Sequence, residues 1–282
     1  MMSGMRTLKL HLDQGIPTRW DARAVMAGQP TDISVPVADG SLAASLLGTG
    51  KPVLLLHGWT FDRNMWVEQH ALAESYQLVM PDRRGFGQSS APSRLDEEYK
   101  DIDRLMPEGE FAIVGFSQGA IVAMDYAKRN PERVGALILV GAPLHNVVGS
   151  DPVGTVPVDA YRDWINSGDL AGMKHDWLKH RLMATDRDLD LDTMLADYSG
   201  RDLIEDDSEI ELTADDIKNL SMPVLSVTGA ADTAWRCAVT KYIGDNARAG
   251  RSHIIADAGH LSVLEQPAEF NRLADNFLHS HF

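Results

Sequence analysis

Residues 111–119 have the sequence Phe-Ala-Ile-Val-Gly-Phe-Ser-Gln-Gly, and residues 120–129 after them have the pattern of a helix. The apolar residues before Gly115 are typical of a β-strand buried in a sheet. A chain that turns sharply from strand to helix forces its central residue into a strained backbone conformation, and glycines on either side relieve the clashes. The segment therefore predicts that Ser117 lies in a tight strand-to-helix turn with its hydroxyl projecting into open space.

On both sides of this segment, short apolar runs alternate with longer amphipathic stretches, a pattern typical of helices that cover a largely parallel sheet. Residues 33–37 and 41–47 flank Asp39-Gly40 and are predicted to form an antiparallel hairpin, because Asp-Gly supplies the positive φ of a tight turn. Six further runs, rich in β-branched residues and leucine, are predicted as buried central strands. They are residues 53–56, 77–80, 112–115, 136–140, 224–227 and 253–256.

The spacing between predicted strands is regular except after Gly141, where a much longer stretch intervenes. Within it, residues 161–167, 170–183 and 191–198 carry apolar side chains at helical spacing, which predicts a helical cap. Residues 143–221 contain 18 acidic and 7 basic residues, so most of the net charge of −15 lies in the predicted cap. The predicted domains are an N-terminal arm (residues 1–31), a core (residues 32–142 and 222–282) and the cap (residues 143–221).

Composition excludes several classes of protein. The chain has 282 residues, of which 44% are apolar and 24% charged, values typical of a globular protein with a sizeable core. The net charge of −15 opposes binding to nucleic acid and to anionic membranes. Cys237 is the only cysteine, so no intrachain disulfide can form, and a reducing compartment fits best. We therefore expect a soluble, cytoplasmic protein without nucleic-acid or membrane partners.

A serine hydroxyl is a weak nucleophile, and it needs a base and a carboxylate that orients the base. His260 follows the last predicted strand, and Asp232 follows the strand before it. The carboxyl ends of parallel strands meet at one edge of a sheet, so these residues are predicted to form a catalytic triad with Ser117. Asp257, three residues before His260, is the alternative acid, but its position directly after a strand favours a turn.

The loop His57-Gly58-Trp59-Thr60 follows the first central strand. Such a loop can direct a backbone N–H toward an oxyanion, and we assign this donor to Trp59. The second donor is predicted to be the backbone N–H of Gln118, where the start of the helix adds a positive dipole end. His57 is predicted to shape the loop by hydrogen bonds to nearby backbone.

Four segments together resemble the α/β-hydrolase family, across residues 33–282. They are His57-Gly58-Trp59, residues 82–89 (Asp-Arg-Arg-Gly-Phe-Gly-Gln-Ser), the turn at Ser117, and Gly259-His260 followed by Glu265-Gln266-Pro267. The resemblance implies an α/β-hydrolase fold, which is a mostly parallel, doubly wound sheet with an N-terminal antiparallel hairpin and a helical cap inserted after the sixth strand. It is strongest to capped esterases and lactonases. It implies a serine hydrolase that cleaves a small-molecule carboxylic ester or lactone through an acyl-enzyme, without metal or organic cofactor.

Other functions remain open for the same residues. A carbon–carbon bond hydrolase or a cofactor-free perhydrolase would use the same triad, although such relatives more often carry Met where this chain has Gln118. A ligand receptor with very slow turnover would also keep the triad. The serine nucleophile argues against haloalkane dehalogenase or epoxide hydrolase chemistry, which use Asp.

Four large side chains of the predicted cap are candidates to line a substrate pocket, or else to hold the cap helices together. They are Tyr161, Trp164, Met173 and Trp177. If they line a pocket, an apolar acyl or leaving group is expected, and the acidic cap disfavours anionic substrates. Arg84 is predicted to make a structural ion pair near the turn after the fourth strand. The sequence does not specify the natural substrate. It is compatible with a monomer and with a homodimer.

Overall fold

Eight strands form one sheet in the computed structural model, which describes residues 28–282. In chain order they are β1 (Thr31–Val37), β2 (Gly40–Leu47), β3 (Lys51–Leu56), β4 (Tyr76–Pro81), β5 (Phe111–Phe116), β6 (Val134–Val140), β7 (Pro223–Gly229) and β8 (Ala249–Ile255). Across the sheet the order is β1-β2-β4-β3-β5-β6-β7-β8. Strand β2 runs against both of its neighbours, and the other pairs are parallel. The predicted N-terminal arm lies outside the described residues except for residues 28–31.

Helices connect the strands. The α-helices of the described residues are α1 (Glu98–Leu105), α2 (Gln118–Arg129), α3 (His145–Val148), α4 (Val158–Asn166), α5 (Leu170–Trp177), α6 (Leu191–Met194), α7 (Arg201–Glu205), α8 (Ala214–Asn219), α9 (Ala234–Asn246), α10 (Ser262–Glu265) and α11 (Pro267–His281). Within residues 28–282, 3₁₀ segments lie at Arg63–Glu74, Leu95–Glu97, Pro131–Arg133 and Arg181–Met183. No helix among residues 28–282 is long and apolar enough to cross a membrane.

Both faces of the sheet are covered. Successive side chains of a strand point to opposite faces, and in β3 Val53 and Leu55 join one apolar cluster while Leu54 and Leu56 join the other. The first cluster includes side chains of α11 and of the segment between β6 and β7, and the second includes side chains of α1, α2 and α9. The predicted doubly wound, mostly parallel fold is therefore confirmed.

The predicted hairpin is present, with its turn one residue earlier than expected. Val37 pairs with Gly40, so Ala38 and Asp39 form the turn, and Gly40 already belongs to β2 with a positive φ of 157°. Asp39 does not adopt a positive φ. The expected turn position is therefore wrong by one residue, because strand pairing continues one residue further into the connection. The expected positive φ is present at Gly40.

The prediction that residues 253–256 form a strand buried on both faces is also wrong. Strand β8 is the last strand of the sheet. Its residues are exposed or partly exposed as far as Ile254, and only Ile255 is buried. An edge strand has a neighbour on one side only, so apolar residues at its end do not imply burial along its whole length.

The long connection between β6 and β7 contains α3 to α8. The helix predicted over residues 170–183 ends at Trp177, and the 3₁₀ turn Arg181–Met183 follows it. Ile217 of α8 packs in the same cluster as α2 and α9. The assignment of residues 143–221 to a separate cap stays a prediction.

Arg84 makes the predicted ion pair with a residue of α1. Its Nε and Nη2 donate to the two carboxylate oxygens of Asp101 at 2.6 and 2.9 Å, and both side chains are buried. Because Arg84 lies three residues after the end of β4, this pair joins that end of the sheet to α1.

The substitution Asp101→Ala is expected to lower the free energy of unfolding by about 3 kcal/mol, since it removes the bidentate partner of the buried Arg84 guanidinium. The partly exposed Asp39 carboxylate, 3.4 Å from Arg84 Nη1, is then the nearest remaining counter-charge. Urea denaturation measures the change. The control is Asp245→Ala, which removes the exposed pair with Lys241 and is expected to change stability far less. Equal losses in the two variants would contradict this account of Arg84.

Candidate active site

The turn between β5 and α2 holds Ser117 in a strained conformation. Its φ is 51° and its ψ is −115°, and α2 begins at the next residue, Gln118. A residue other than glycine in a sparsely populated conformation costs about 1–3 kcal/mol and persists where its surroundings hold it firmly. Here the Ser117 N–H donates to Val140 O of β6 at 2.7 Å. The lack of a side chain at Gly119 permits this turn, because a Cβ there would collide with the carbonyl oxygens of Leu56 and His57.

His260 and Asp232 are joined by a buried hydrogen bond. Nδ1 of His260 lies 2.9 Å from Oδ2 of Asp232. The same Oδ2 accepts from the Thr228 hydroxyl at 2.6 Å, and Oδ1 accepts from the Thr233 N–H at 2.7 Å. Asp257 is exposed, has a φ of 52°, and makes no such contact to His260. Of the two candidate acids, the structure brings Asp232 to the imidazole.

Electrostatics at this pair favour a charged acid and a neutral base. Burial alone would raise the pKa of Asp232, but the His260 imidazole, Arg236 and the Thr228 hydroxyl outweigh it and lower that pKa to about 2. Burial lowers the pKa of His260, Arg236 lowers it further, and Asp232 opposes them. With Nδ1 donating to Asp232, Nε2 is left as an acceptor, which is the tautomer a general base requires.

Gly141 leaves the space that the imidazole occupies. Its φ is 56°, and a Cβ on this residue would lie 2.7 Å from Cε1 of His260. The Phe116 ring packs against the imidazole with 5.0 Å between ring centroids. The ring of His260 is thus fixed by the carboxylate and by packing.

A cavity of about 650 Å³ contains both Ser117 and His260 in its wall. In the part of the chain that the structure describes, the His260 imidazole is hydrogen-bonded to Asp232, and no hydrogen bond joins it to the Ser117 hydroxyl. Other wall residues include Trp59, Phe61, Phe86, Phe116, Gln118 and Leu182. Among residues 28–282, no group of three or more His, Cys, Asp or Glu side chains could hold a metal ion.

The two predicted oxyanion donors lie in the wall of the same cavity. Within the described residues, neither the Trp59 N–H nor the Gln118 N–H donates to a protein acceptor. His57 is buried beside them, and burial lowers its pKa. Its Nδ1 contacts Gly58 O at 2.8 Å and its Nε2 accepts from Arg83 N at 2.9 Å, so it shapes the loop in the way that the sequence predicts.

The predicted pocket residues need correcting at three of four positions. Trp177 lines the cavity, but Tyr161, Trp164 and Met173 do not. Tyr161 and Met173 are buried in the apolar cluster, and Trp164 packs against that cluster. These residues hold the segment together because their side chains are turned toward its interior, a direction that helical spacing does not reveal.

Two buried arginines of the cavity wall were not predicted as site residues. Arg83 pairs with Glu98 through two 2.8 Å hydrogen bonds and donates to the Gln118 side chain at 3.0 Å. Arg236 donates to the Gly141 carbonyl, and its Nε lies 4.0 Å from Asp151. Arg83 belongs to the segment of residues 82–89 that resembles the family, and this membership could have marked it as a site residue. Arg236 lies in α9 without any motif around it.

Comparisons with known proteins agree with this fold. A model of the alpha/beta hydrolase family matches residues 53–273. The pimeloyl-[acyl-carrier protein] methyl ester esterase of Aeromonas hydrophila subsp. hydrophila is 25% identical over 256 residues, covering 84% of this chain and 99% of the relative. The crystal structure of carboxylesterase CesB from Bacillus subtilis has a TM-score of 0.75 at 20% identity, and the match covers 93% of this chain and 95% of the CesB chain. Est816, described as an N-acyl homoserine lactone degrading enzyme, has a TM-score of 0.72 at 21% identity, with coverages of 86% and 99%.

The family match spans most of the chain and includes Ser117, Asp232 and His260. The two solved structures share its fold. The family resemblance and the hydrolase class of enzyme predicted from the sequence are confirmed at this level. With the sheet order, the strained turn after β5 and this match taken together, the chain belongs to the alpha/beta hydrolase family.

Proposed function

We propose that this protein is a serine hydrolase that cleaves a carboxylic ester or a lactone through an acyl-enzyme intermediate. One observation carries the proposal. Ser117, in a positive-φ turn, shares a cavity wall with His260, whose Nδ1 is hydrogen-bonded to the buried Asp232. A hydroxyl, an imidazole with a free Nε2 and a carboxylate that orients it are the three groups that acyl transfer to serine requires.

In the first half of the reaction, Ser117 Oγ attacks the substrate carbonyl carbon while His260 Nε2 takes the hydroxyl proton. Asp232 stabilises the imidazolium that forms, and the N–H groups of Trp59 and Gln118 donate to the oxyanion. The tetrahedral intermediate then breaks its bond to the leaving oxygen, which takes the proton from Nε2. The result is an acyl group on Ser117 and a free alcohol.

In the second half, water attacks the acyl carbonyl and gives its proton to Nε2 of His260. The new intermediate breaks its bond to Ser117 Oγ, which recovers the proton. The products are a carboxylic acid and an alcohol, or one hydroxy acid when the substrate is a lactone. The side chains of Ser117 and His260 and one water molecule supply every nucleophile and general base that this reaction uses.

The cavity supports a substrate with an apolar part. Aromatic and aliphatic side chains form much of its wall, and its volume of about 650 Å³ is in the range of small-molecule sites. The named relatives support the bond type, since one is a methyl ester esterase, one a carboxylesterase and one a lactone-degrading enzyme. The charged residues of the wall are five carboxylates and three arginines, a net negative balance that supports neutral rather than anionic substrates. They are Glu98, Asp202, Asp206, Asp207 and Glu209, with Arg83, Arg162 and Arg236.

The test uses p-nitrophenyl acetate, butyrate and octanoate, a simple lactone followed by pH-stat, and a fluorophosphonate that labels activated serines. We expect ester or lactone hydrolysis together with labelling at Ser117, identified by mass spectrometry. An ester carrying a carboxylate on its acyl chain is expected to be a poorer substrate than its neutral analogue. Absence of both hydrolysis and labelling would overturn the proposal, and faster cleavage of a vinylogous diketone than of every ester would assign carbon–carbon bond hydrolysis instead.

The pH dependence of kcat/KM is expected to have its acid midpoint below 6.5, the ordinary pKa of histidine. The base must be neutral, and burial holds the pKa of His260 below that value. Activity therefore declines as the pH falls through the lowered pKa, and it persists where an exposed histidine would already be protonated. A pH series with p-nitrophenyl butyrate measures the midpoint, and a value above 6.5 would contradict this assignment of the base.

A further inference from the structure

The geometry points to Asp202 and Trp177, both in the connection between β6 and β7, as positioning residues that hold the Trp59 N–H in place as an oxyanion donor. This inference rests on the proposed function. Neither role is apparent from the sequence, because 143 residues separate Asp202 from Trp59 along the chain.

The first contact holds the Trp59 side chain. Its indole Nε1–H donates to Oδ2 of Asp202, in α7, at 2.6 Å, which is short for an N–H to oxygen hydrogen bond. The indole also packs edge-to-face against Trp177, with 4.8 Å between ring centroids, and is stacked on Tyr161 at 6.1 Å. A polar anchor and an aromatic enclosure together leave the indole few orientations.

The second contact holds the next residue of the loop. Nε1–H of Trp177, in α5, donates to the Thr60 hydroxyl at 2.9 Å, and that hydroxyl donates to the Trp59 carbonyl at 2.7 Å. Thr60 has a φ of 66°, a rare conformation for a β-branched residue. Such strain persists only when surrounding interactions hold it, and these two hydrogen bonds lie directly on the strained residue.

A third contact, from the body of the protein, fixes the peptide group that carries the donor. The Trp59 N–H and the Gly58 carbonyl belong to the same planar peptide unit. Nδ1 of His57 contacts that carbonyl at 2.8 Å, so the plane is held from the side of the sheet. His57 thus holds the peptide unit that joins Gly58 to Trp59. Asp202 of α7 holds the Trp59 side chain, and Trp177 of α5 holds Thr60.

Placement of this kind matters for chemistry because oxyanion stabilisation depends on where the donor is when charge develops. A misplacement of about 1 Å can cost about 10²-fold in rate. Loss of the Asp202 contact would release the indole, and with it the loop backbone, while the triad itself stays intact. The expected defect is therefore in kcat rather than in KM.

The experiment compares Trp59→Phe, Asp202→Ala, the double variant and Asp202→Asn, using the best ester of the series above. Trp59→Phe removes the indole N–H and keeps the backbone donor and an aromatic ring. We expect Trp59→Phe and Asp202→Ala each to lower kcat by about 10-fold to 10²-fold with KM changed by less than about threefold. The double variant is expected to be no worse than about twofold below the poorer single variant, since both changes remove the same hydrogen bond.

Asp202→Asn keeps a carbonyl oxygen that can accept from the indole, and it is expected to recover most of the lost kcat. Trp177→Phe, which removes the second hydrogen bond, is expected to lower kcat in the same manner. Asp215→Ala is the matched control, because it removes an exposed carboxylate from the same connection, outside the cavity wall, and is expected to leave kcat unchanged.

The outcomes separate this inference from the proposed function. Multiplicative losses in the double variant, a rise in KM at constant kcat, or an equal loss in Asp215→Ala would each overturn the positioning role while leaving the serine mechanism intact. Turnover retained in Ser117→Ala would overturn both. If Asp202→Ala does not fold, Asp202→Asn and Trp59→Phe still decide, since unchanged kcat in Trp59→Phe excludes the role.

Discussion

Replacing Ser117 by alanine is expected to lower kcat for p-nitrophenyl esters by about 10⁴-fold or more. The reason is the removal of the nucleophile itself, so that the only remaining rate comes from binding and from the oxyanion donors acting on water. Alanine fits the turn as well as serine does, since the two differ only in the hydroxyl, and the Ser117 N–H bond to Val140 O is made by the backbone. Steady-state turnover, with folding checked by circular dichroism, measures the loss.

The control for this variant is Ser280→Ala. Ser280 is an exposed serine of α11 whose hydroxyl donates to Asn276 O within the same helix, and its loss is expected to leave turnover unchanged. In pre-steady-state experiments, any burst of p-nitrophenol that marks an acyl-enzyme is expected in the wild type and in Ser280→Ala, and is expected to vanish in Ser117→Ala. Wild-type turnover in Ser117→Ala would rule out the serine mechanism.

The substitution Asp232→Asn is expected to lower kcat by about 10⁴-fold at neutral pH. The asparagine amide can donate to Nδ1, which would place the imidazole proton on Nε2 and remove the base that Ser117 needs. A neutral side chain also cannot stabilise the imidazolium. The side-chain oxygen can still accept from Thr233 N–H, so the loop is expected to keep its fold. Ester hydrolysis, with thermal melting as a check on the fold, measures the effect.

The matched control is Asp257→Asn, which changes the other candidate acid in the same chemical way. Asp257 is exposed and has a φ of 52°, a conformation that asparagine tolerates well. We expect its kcat to equal that of the wild type. A larger loss in Asp257→Asn than in Asp232→Asn would contradict the assignment of the acid.

Local patterns were sufficient to predict much of the site. The strand-turn-helix segment around Ser117 predicted a strained residue between β5 and α2, and the structure gives it a φ of 51°. The order of strands predicted that His260 and Asp232 lie at one edge of the sheet, where a hydrogen bond of 2.9 Å joins them. These features are predictable because neighbouring residues impose them: a buried parallel strand, a turn with glycines and a helix each have their own short-range pattern.

Other features could not be predicted because they depend on what a side chain meets after folding. The pattern of residues 253–256 is that of a buried strand, yet β8 is an edge strand, because the order of strands in the sheet decides which of them has two neighbours. Helical spacing predicted that Tyr161, Met173 and Trp177 lie on the apolar faces of helices. Only packing decides that Trp177 lines the cavity and that the other two do not.

By itself, the sequence determined the class of fold, the position of the strained serine and the order of Ser117, Asp232 and His260 at the ends of parallel strands. These follow from short-range periodicity and turn chemistry, which act between residues close in the chain. Only the tertiary structure decided that Asp202 receives the Trp59 indole N–H, that Gly141 makes room for His260 and that Arg236 donates to the Gly141 carbonyl. Those contacts join residues far apart in the chain, and their geometry exists only once the sheet and the long connection after β6 have packed together.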